Sequence, residues 1–408
     1  MKKIAIIGGG AAGFFVAANL EKELGSQTVI FEQSSLPLQK VRVSGGGRCN
    51  LTHACFDPKE LVEFYPRGKK ELLSVFNKFQ PGDTLNWFEA KGIPLKIEED
   101  NRIFPVSDSS LSVIECFLDK IEKNGVEIRL SEGIQKIEKQ ENHFVIHTKT
   151  NSYTFKTIVF TPGSSPKSME LVRNLGHKII PLVPSLFTFN IKDERLQNLM
   201  GISFDWAEIS IPKLKLESEG PLLITHWGLS GPGILKLSAW GAIELHQLNY
   251  NFQIKINFIQ KETQECVGEL MNFKQENAKK HVCKTHPFSF PKRFWQRVLN
   301  VLKINPNVTY SELNKQQIQR ISEELTQAVF QVKGKSTFKD EFVTAGGVDL
   351  KEINFKTMES KLIPGFFIAG EVLNIDAVTG GFNFQACWSE AYLIATHLNE
   401  NFSAYDKK

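Results

Sequence analysis

The sequence predicts an α/β protein whose parallel sheet is assembled from both ends of the chain, around an inserted second domain. Three observations predict this fold class. Residues 2–31 read as strand, glycine-rich turn, helix and strand, which is one βαβ unit. Near residue 187 the pattern changes to short alternating strands, which give way to a helix-rich segment that continues to about residue 333. From residue 342 onward, apolar strands and glycine-bearing turns resume and a helix follows.

These changes of pattern define the expected domain boundaries. Residues 1–186 and 341–408 are predicted to form one discontinuous domain, and residues 187–340 the insert, which we interpret as a substrate domain. The insert is expected to have a β-rich part at 187–260 and a helical part at 261–340. A chain of 408 residues is long enough for such an arrangement with a large buried interior.

Composition narrows the class of protein. The net charge of +4 is too small to indicate a nucleic-acid partner, which is therefore disfavoured. No apolar run approaches the roughly 18 residues of a transmembrane helix, so no membrane association is predicted. The six cysteines are scattered and form no C-x-x-C pair, which predicts reduced thiols, a cytoplasmic location and no metal site. The oligomeric state is left open.

A glycine-rich turn directly after the first strand carries the first chemical signal. Gly8, Gly10 and Gly13 satisfy G-x-G-x-x-G, and Ala11 and Ala12 open the helix that follows. In this context the glycines permit a tight turn, close approach of a pyrophosphate, and helix–strand packing. The phosphates would lie at the helix N-terminus, where N–H groups and the helix dipole favour negative charge.

An acidic residue completes this first motif. Glu32 ends the second strand, about twenty residues after the turn, where a carboxylate accepts hydrogen bonds from an adenosine ribose. A carboxylate there disfavours a 2′-phosphate, so FAD or NAD fits this site better than NADP.

A second strand, turn and helix start near the C-terminus favours FAD. The elements are an apolar strand, a glycine with acidic residues after it, and a glycine pair that opens the last helix. The candidate cofactor contacts in this region are Gly370, Glu371, Asp376, Gly380, Gly381, Phe382 and Asn383. Backbone N–H groups at such a helix start could face N1 and O2 of a flavin and stabilise its reduced anion. A simple NAD dehydrogenase does not need this second element.

Beyond these motifs, the chain resembles the BaiN-like, or aminoacetone-oxidase-like, NAD(P)/FAD-dependent oxidoreductases. The matching stretches cover nearly the whole length and include the opening glycine motif, KVRVSGGGRCNLTH (40–53), NRIFPVSD (101–108), ITHWGLSGPGIL (224–235) and the segment from VTAGGVDL to QACWSEAY (343–392). The resemblance implies a bound FAD and a first domain similar to the flavin domain of glutathione reductase. It also implies an insert with a β-barrel-like part and a helical part.

The resemblance further implies that the segment after the second strand wraps the cofactor. The residues concerned are Arg42, Ser44, Gly45, Gly46, Gly47, Arg48, Cys49 and Asn50. A glycine run offers bare N–H groups as an anion-binding nest, and either arginine could pair with phosphate. A structural ion pair is the alternative for Arg48. Apart from these contacts, residues 34–56 are expected to be irregular and outside the core.

One departure from the family concerns the segment after the strand that ends at Phe160. Relatives carry a long glycine-rich loop there, and this chain has a shortened version around residues 161–165, so inherited substrate contacts are in doubt. Thr161 and Gly163 still fit the family's cofactor-side turn, and Ile134 resembles the position whose backbone meets the adenine. In the insert, His226 and the nearby Ser230 are placed near the flavin, with His226 as a candidate acid or base.

Three functions follow as hypotheses. The first is an FAD-dependent oxidoreductase that exchanges a hydride with a small organic substrate, such as an amine or an unsaturated carbonyl compound, with NAD(P)H or O₂ as redox partner. The second is an RNA-modifying flavoprotein, because residues 279–303 mix basic and aromatic side chains. The third is a protein that binds FAD without turnover. A disulfide reductase is disfavoured by the spacing of Cys49 and Cys55.

Overall fold

The computed structural model describes residues 2–336 and 343–401. It divides into two compact units, Met1–Val183 with Val343–Lys408, and Pro184–Phe342. Within the described residues, no helix has the length and apolar character needed to cross a membrane.

The first unit begins with a long run of alternating elements. In chain order these are β1 (Ile4–Ile7), α1 (Ala11–Asn19), α2 (Lys22–Gly25), β2 (Thr28–Phe31), α3 (Gln39–Gly47), β3 (Thr52–His53), α4 (Pro58–Leu61), α5 (Lys69–Phe76), α6 (Pro81–Glu89), β4 (Leu95–Ile97), β5 (Arg102–Pro105), α7 (Ser110–Lys123), β6 (Glu127–Arg129), β7 (Lys136–Lys139), β8 (Phe144–His147), β9 (Ser152–Phe155), β10 (Thr157–Phe160), α8 (Pro166–Asn174) and β11 (Ile179–Ser185).

The remaining elements belong to the insert and then to the C-terminal part of the first unit. Those of the insert are β12 (Thr188–Asn190), β13 (Ser203–Ile211), β14 (Leu216–Ile224), β15 (Gly228–Ser230), α9 (Pro232–Trp240), α10 (Ala242–Gln247), β16 (Asn251–Asn257), α11 (Thr263–Glu276), α12 (Lys292–Val301), α13 (Lys315–Thr326), β17 (Ala328–Lys333) and β18 (Lys335–Ser336). The chain then forms β19 (Val343–Val348), β20 (Ile353–Asn354), β21 (Glu359–Ser360), β22 (Phe366–Ile368) and α14 (Phe382–Glu400).

The main sheet of the first unit has the order β20-β21-β22-β10-β1-β2-β6. Its five parallel strands, numbered by their position in the chain, run 3-2-1-4-5 from β6 to β22, which is the doubly wound Rossmann order. The strands IAII, TVIF and TIVF are buried along their whole length, as expected where both faces of a parallel sheet are covered. Helices α1 and α14 pack together on this sheet, so both ends of the chain build one core. The predicted fold class is confirmed.

Two details of the first unit differ from the sequence-based prediction. The alternating pattern that begins at VEIRL predicts an antiparallel meander, but Glu127–Arg129 is parallel strand β6, and the meander is the three-stranded sheet of β7, β8 and β9. Residues 34–56 were expected to be irregular, and this is wrong for Gln39–Gly47, which forms α3. The glycines at its end obscured the helix, because the backbone leaves helical geometry at Ser44 and turns left-handed at Gly45 and Gly46.

The second unit is built on a sheet with the order β17-β16-β13-β14-β15-β12-β18. Its two outer strands, β17 and β18, are consecutive in the chain and separated only by Gly334. Residues 328–336 therefore pair with β16 on one side and with β12 on the other, which closes the sheet into a barrel-like shape. The expected split differs in detail, since α9 and α10 fall within 187–260 and β17 within 261–340. Strand β17 follows the helices of the insert in the chain but pairs with β16, which precedes them. A local sequence pattern therefore could not assign β17 to this sheet.

Candidate functional site

The first glycine turn follows the carboxyl end of β1. A Cβ on Gly8 would lie 2.3 Å from the carbonyl oxygen of Thr161, and one on Gly13 would lie 2.2 Å from the carbonyl oxygen of Gly8. Neither position has room for a side chain, because backbone atoms occupy the space. A Cβ on Gly10 would meet no atom within 4 Å, so open space lies in front of α1. The helix has no side-chain cap and no acidic residue in its first turn, which leaves its N-terminal N–H groups for an anion.

Glu32 lies beside this turn. One of its carboxylate oxygens accepts a hydrogen bond from the Gly9 amide at 2.8 Å, and the other accepts from the amide and hydroxyl of Ser34 at 2.8 and 2.6 Å. Ile134 is buried in the loop before β7, and this loop is held to the same region because the Glu132 amide donates to the Glu32 carbonyl oxygen at 2.9 Å. The two residues predicted at the adenosine end therefore lie on neighbouring segments.

The turn after β10 supports the glycine motif. The Thr161 hydroxyl donates to the carbonyl oxygens of Ile7 and Gly8 at 3.3 and 3.2 Å. Gly163 has φ +76°, and a Cβ there would meet no atom within 4 Å. Pro166 begins α8 soon afterwards, so the shortened segment leads directly into a helix.

The glycine run at the end of α3 forms a turn, and Arg42 precedes this turn in the same helix. Ser44 is extended, and Gly45, Gly46 and Gly47 all have positive φ, the arrangement of an anion-binding nest. Added Cβ atoms at Gly46 and Gly47 would meet nothing within 4 Å, so this turn borders open space. The Nε atom of Arg42 is buried and has no hydrogen-bond partner among the described residues. A buried guanidinium nitrogen without a partner indicates a missing acceptor, such as a phosphate oxygen.

Arg48, predicted to pair with phosphate, is occupied by protein acids. Its guanidinium lies 2.6 Å from Glu98 and 3.5 Å from Asp108, and it stacks 3.9 Å from the ring centroid of Phe104. The hydrogen bond that Arg48 donates to Glu98 raises the pKa of the guanidinium above its ordinary value. This is the structural ion pair that the sequence left as the alternative. The neighbouring Cys49 is also buried, which raises the pKa of its thiol to about 12 and leaves it without thiolate character.

Asp376, predicted to bind the cofactor, is engaged by Arg67. Its carboxylate is fully buried, and both oxygens accept hydrogen bonds from the Arg67 guanidinium in a bidentate ion pair. The same two residues also form an isolated β-bridge. The acid thus fixes the loop that leads to the last helix, a role that its position after the glycine could not reveal.

The second glycine turn adjoins the first. A Cβ on Gly370 would lie 3.4 Å from the Cβ of Ala12, so the turn after β22 packs against the first turn of α1. The Gly370 amide donates to Glu390 at 2.6 Å, and Glu371 forms an ion pair with Lys40 of α3. The two turns that the sequence assigned to one cofactor are therefore neighbours in one unit.

The start of α14 is braced by amide side chains. Asn383 accepts from the Ala377 amide at 3.0 Å and donates to the Ala377 carbonyl oxygen at 3.3 Å. Asn50, in the amide orientation that satisfies its neighbours, accepts from the Gly381 amide at 3.0 Å. Gly380 and Gly381 have φ of +135° and +91°, and Phe382 is buried behind them. The loop containing Asn50 is thereby joined to the helix start.

Sequence reasoning missed His53 and Glu390. The His53 ring stacks on Phe382 with centroids 4.6 Å apart, and its Nδ1 atom is buried without a partner among the described residues. Desolvation lowers the pKa of His53, so the ring is neutral near pH 7. Its signal was its place as the last residue of the resembling stretch 40–53. Glu390 had only one signal, a charge on an otherwise apolar helical face.

His226, predicted as an acid or base, belongs to the second unit. It is exposed in the turn between β14 and β15, with its ring 6.5 Å from that of Trp227. The nearby Ser230 hydroxyl accepts a hydrogen bond from Thr188 at 3.0 Å. The catalytic role of His226 stays a prediction.

A cavity of about 570 Å³ also lies in the second unit. Its lining mixes acids and lysines, among them Glu208, Glu217, Lys236 and Lys255. None of the predicted cofactor residues lines it.

The residues of the first unit fit FAD. The open space at Gly10 and the nest at Gly45–Gly47 suit a pyrophosphate, as does the Nε of Arg42, which lacks a partner among the residues that the structure describes. The adjacent second turn suits the flavin end. The fold and this site define an FAD-dependent oxidoreductase of the Rossmann type. Over residues 2–397 the chain matches the family described as HI0933-like protein Rossmann domain, and it belongs to that family. The resemblance seen in the sequence is confirmed.

Three relatives match almost the whole chain. A ribosomal RNA dihydrouridine synthase from Escherichia coli is 28% identical over 407 residues, covering 96% of this chain and 97% of the relative. A 3-dehydro-bile acid delta(4,6)-reductase from Clostridium scindens is 26% identical over 405 residues, covering 96% and 98%. A ribosomal RNA dihydrouridine synthase from Haemophilus influenzae is 28% identical over 414 residues, covering 97% and 98%.

Proposed function

We propose that this chain is an FAD-dependent reductase that uses NADH or NADPH to reduce a carbon–carbon double bond conjugated with a carbonyl group. The observation that carries the proposal is the adjacency of the two turns, where a Cβ on Gly370 would lie 3.4 Å from Ala12. An extended FAD uses both turns, whereas the nucleotide half of a nicotinamide cofactor uses the first alone. FAD, when bound, supplies the group that accepts and delivers a hydride.

The names of the relatives support this substrate class. One name describes a reductase of double bonds in a 3-dehydro bile acid, and the other describes the formation of dihydrouridine. Both reactions add two hydrogen atoms to a carbon–carbon double bond. In an unsaturated carbonyl compound, the carbonyl group withdraws electrons, so the hydride adds to the far carbon and a proton adds to the near one. The protein must therefore also provide a proton donor.

The described residues offer two candidate proton donors. His53 lies at the flavin end of the first unit with a partnerless Nδ1 and is neutral because burial lowers its pKa. His226 is exposed in the insert. A histidine acts as a proton donor when one ring nitrogen takes up a proton from solvent and the resulting imidazolium releases it to the substrate, directly or through a water molecule. The variants His53→Gln and His226→Gln distinguish the two candidates. Substitution of the residue that donates the proton should lower kcat and leave the rate of flavin reduction by the nicotinamide unchanged.

RNA is the second candidate substrate because two relatives are named ribosomal RNA dihydrouridine synthases. The basic-aromatic segment 279–303 gives this candidate partial support. Lys284, Lys292 and Arg293 are exposed, but Phe294 and Trp295 are buried in the core of the second unit. These two rings are unavailable for base stacking and Phe288 is only partly exposed, so the segment offers charge with little of the stacking that usually accompanies RNA recognition. The small-molecule substrate is favoured on this ground.

Anaerobic stopped-flow spectroscopy tests the proposal. The FAD-loaded protein is mixed first with NADH or NADPH, and the reduced flavin is then mixed with a 3-oxo-Δ4 steroid or with unmodified ribosomal RNA. We expect bleaching of the flavin by one nicotinamide and rapid reoxidation by the steroid. Reoxidation by RNA alone, with dihydrouridine in the product, would move the assignment to the second candidate. A flavin that neither nicotinamide reduces would refute the reductase and leave FAD binding without turnover.

A further inference from the structure

Glu390 is a carboxylic acid in the core of the first unit. It lies on α14 with no exposed surface, where charged side chains are rarely found without a counter-charge. One carboxyl oxygen accepts from the Gly370 amide at 2.6 Å, and the other is buried without a hydrogen-bond partner among the described residues. Burial raises the pKa of Glu390 to about 8, so the group is mostly neutral at neutral pH.

The partner of Glu390 is the first residue of the second cofactor turn. Gly370 has φ +84°, and it packs against Ala12 of α1 and the sulfur of Cys387. A residue in that conformation has its amide direction set by the turn, and Glu390 is the group that satisfies this amide. The carboxyl group therefore links α14 to the point where the two glycine turns meet.

The titratable groups around Glu390 do not compensate its charge. Tyr65 and Cys387 face it, and both are neutral because burial raises their pKa values well above the ordinary range. Lys40, the cation that acts on the neighbouring Cys387 thiol, is paired with Glu371. No ion pair joins Glu390 to a base within the part of the chain that the structure describes. An ionised Glu390 would keep the Gly370 amide as its hydrogen-bond donor and gain no cation.

We propose that Glu390 is a positioning residue whose neutral carboxyl group fixes the Gly370 amide and thereby the turn that receives the flavin end of FAD. This inference rests on the proposed FAD binding. Ionisation of Glu390 places an uncompensated charge in the core beside that turn, which favours rearrangement or solvation of the turn. FAD affinity should then fall at alkaline pH, and the ionisation of this one carboxyl group should account for the fall.

Titration of the FAD-free protein with FAD tests this inference. Quenching of flavin fluorescence gives Kd, and we compare the wild type, Glu390→Gln and a control, Glu400→Gln, which changes an exposed acid at the far end of α14. Glutamine retains an acceptor for the Gly370 amide and does not ionise. Above the pKa of Glu390, the wild-type Kd should rise by up to about tenfold per pH unit, since one proton is linked to binding. Glu390→Gln should bind as the wild type does below pH 7 and stay constant above it, and Glu400→Gln should follow the wild type.

The outcomes separate this inference from the proposed function. Equal alkaline weakening in Glu390→Gln and the wild type, or a wild-type Kd that does not change with pH, would overturn the role of Glu390. Absence of FAD binding at every pH would refute the proposed function as well. If Glu390→Gln does not fold, infrared spectroscopy of the wild type gives a second test. The carboxyl C=O band of buried, protonated glutamic acid should vanish in step with FAD affinity, and a band that persists while affinity falls contradicts the inference.

Discussion

Gly10→Val separates cofactor binding from folding. Gly10 has an extended backbone, with φ −92° and ψ −168°, which valine adopts without strain. Its added Cβ would meet no atom within 4 Å, so the free energy of unfolding should change by about 1 kcal/mol or less. The branched side chain would fill the space in front of α1 where the pyrophosphate binds. Loss of one charge-assisted hydrogen bond there costs about 1.5–3 kcal/mol, equivalent to roughly tenfold to hundredfold weaker FAD binding.

The assay for this variant is an FAD titration paired with urea unfolding of the FAD-free protein. Gly268→Val is the matched control, because a Cβ at Gly268 in α11 also meets nothing within 4 Å but lies in the second unit. It should bind FAD as the wild type does. Gly8→Ala should instead lower stability, because its Cβ would lie 2.3 Å from a carbonyl oxygen. Full FAD occupancy in Gly10→Val would refute the placement of the pyrophosphate.

Four further predictions concern single side chains. Glu32→Ala removes the carboxylate that we predict accepts hydrogen bonds from the adenosine ribose, and it should weaken FAD binding about tenfold; equilibrium dialysis showing an unchanged Kd would contradict this. Arg42→Met should also weaken FAD binding about tenfold while leaving the melting temperature of the FAD-free protein unchanged, since its Nε has no hydrogen-bond partner in the described part of the chain; a large fall in Tm would assign it a structural role. Asp376→Asn removes the negative charge from the buried ion pair with Arg67, so urea unfolding should show a loss of about 3 kcal/mol, and a smaller loss than 1 kcal/mol would mean that the pair is dispensable. Because burial raises the pKa of Glu390 from 4.5 to about 8, the folded state holds a proton that the unfolded state releases; the free energy of unfolding of the wild type should therefore fall, relative to Glu390→Gln, as pH rises from 4.5 to 8, and parallel pH profiles would contradict it.

The parallel core was readable from the sequence because its signals are local. The strands IAII and TIVF are continuous apolar runs, and the glycine turn carries its own context of strand before and helix after. The sequence did not indicate helix α3, because only five residues of helical geometry precede Ser44 and three glycines follow it. The sequence did not indicate that β6 joins the parallel sheet, because Glu127 and Arg129 make this strand polar and its partner β2 lies far earlier in the chain.

The partners of individual side chains could not be predicted. Asp376 and Arg67 are 309 residues apart, and Arg48 meets Glu98 and Asp108 across a turn that the sequence did not define. The same holds for Glu390 and Gly370, which meet only when α14 packs beside the second turn. Sequence reasoning identified the segments that form the candidate site, and the structure was needed to show which polar groups in them are occupied and which lack a partner.

The visible absorption spectrum tests the central claim, that the first unit binds FAD, most directly. The purified protein is incubated with FAD, freed of unbound cofactor by gel filtration, and compared with Gly10→Val treated in the same way. We predict the absorption band of oxidised flavin in the wild type, with one FAD released per chain on denaturation, and a much weaker band in the variant. A wild-type protein that carries no flavin after this treatment would contradict the claim.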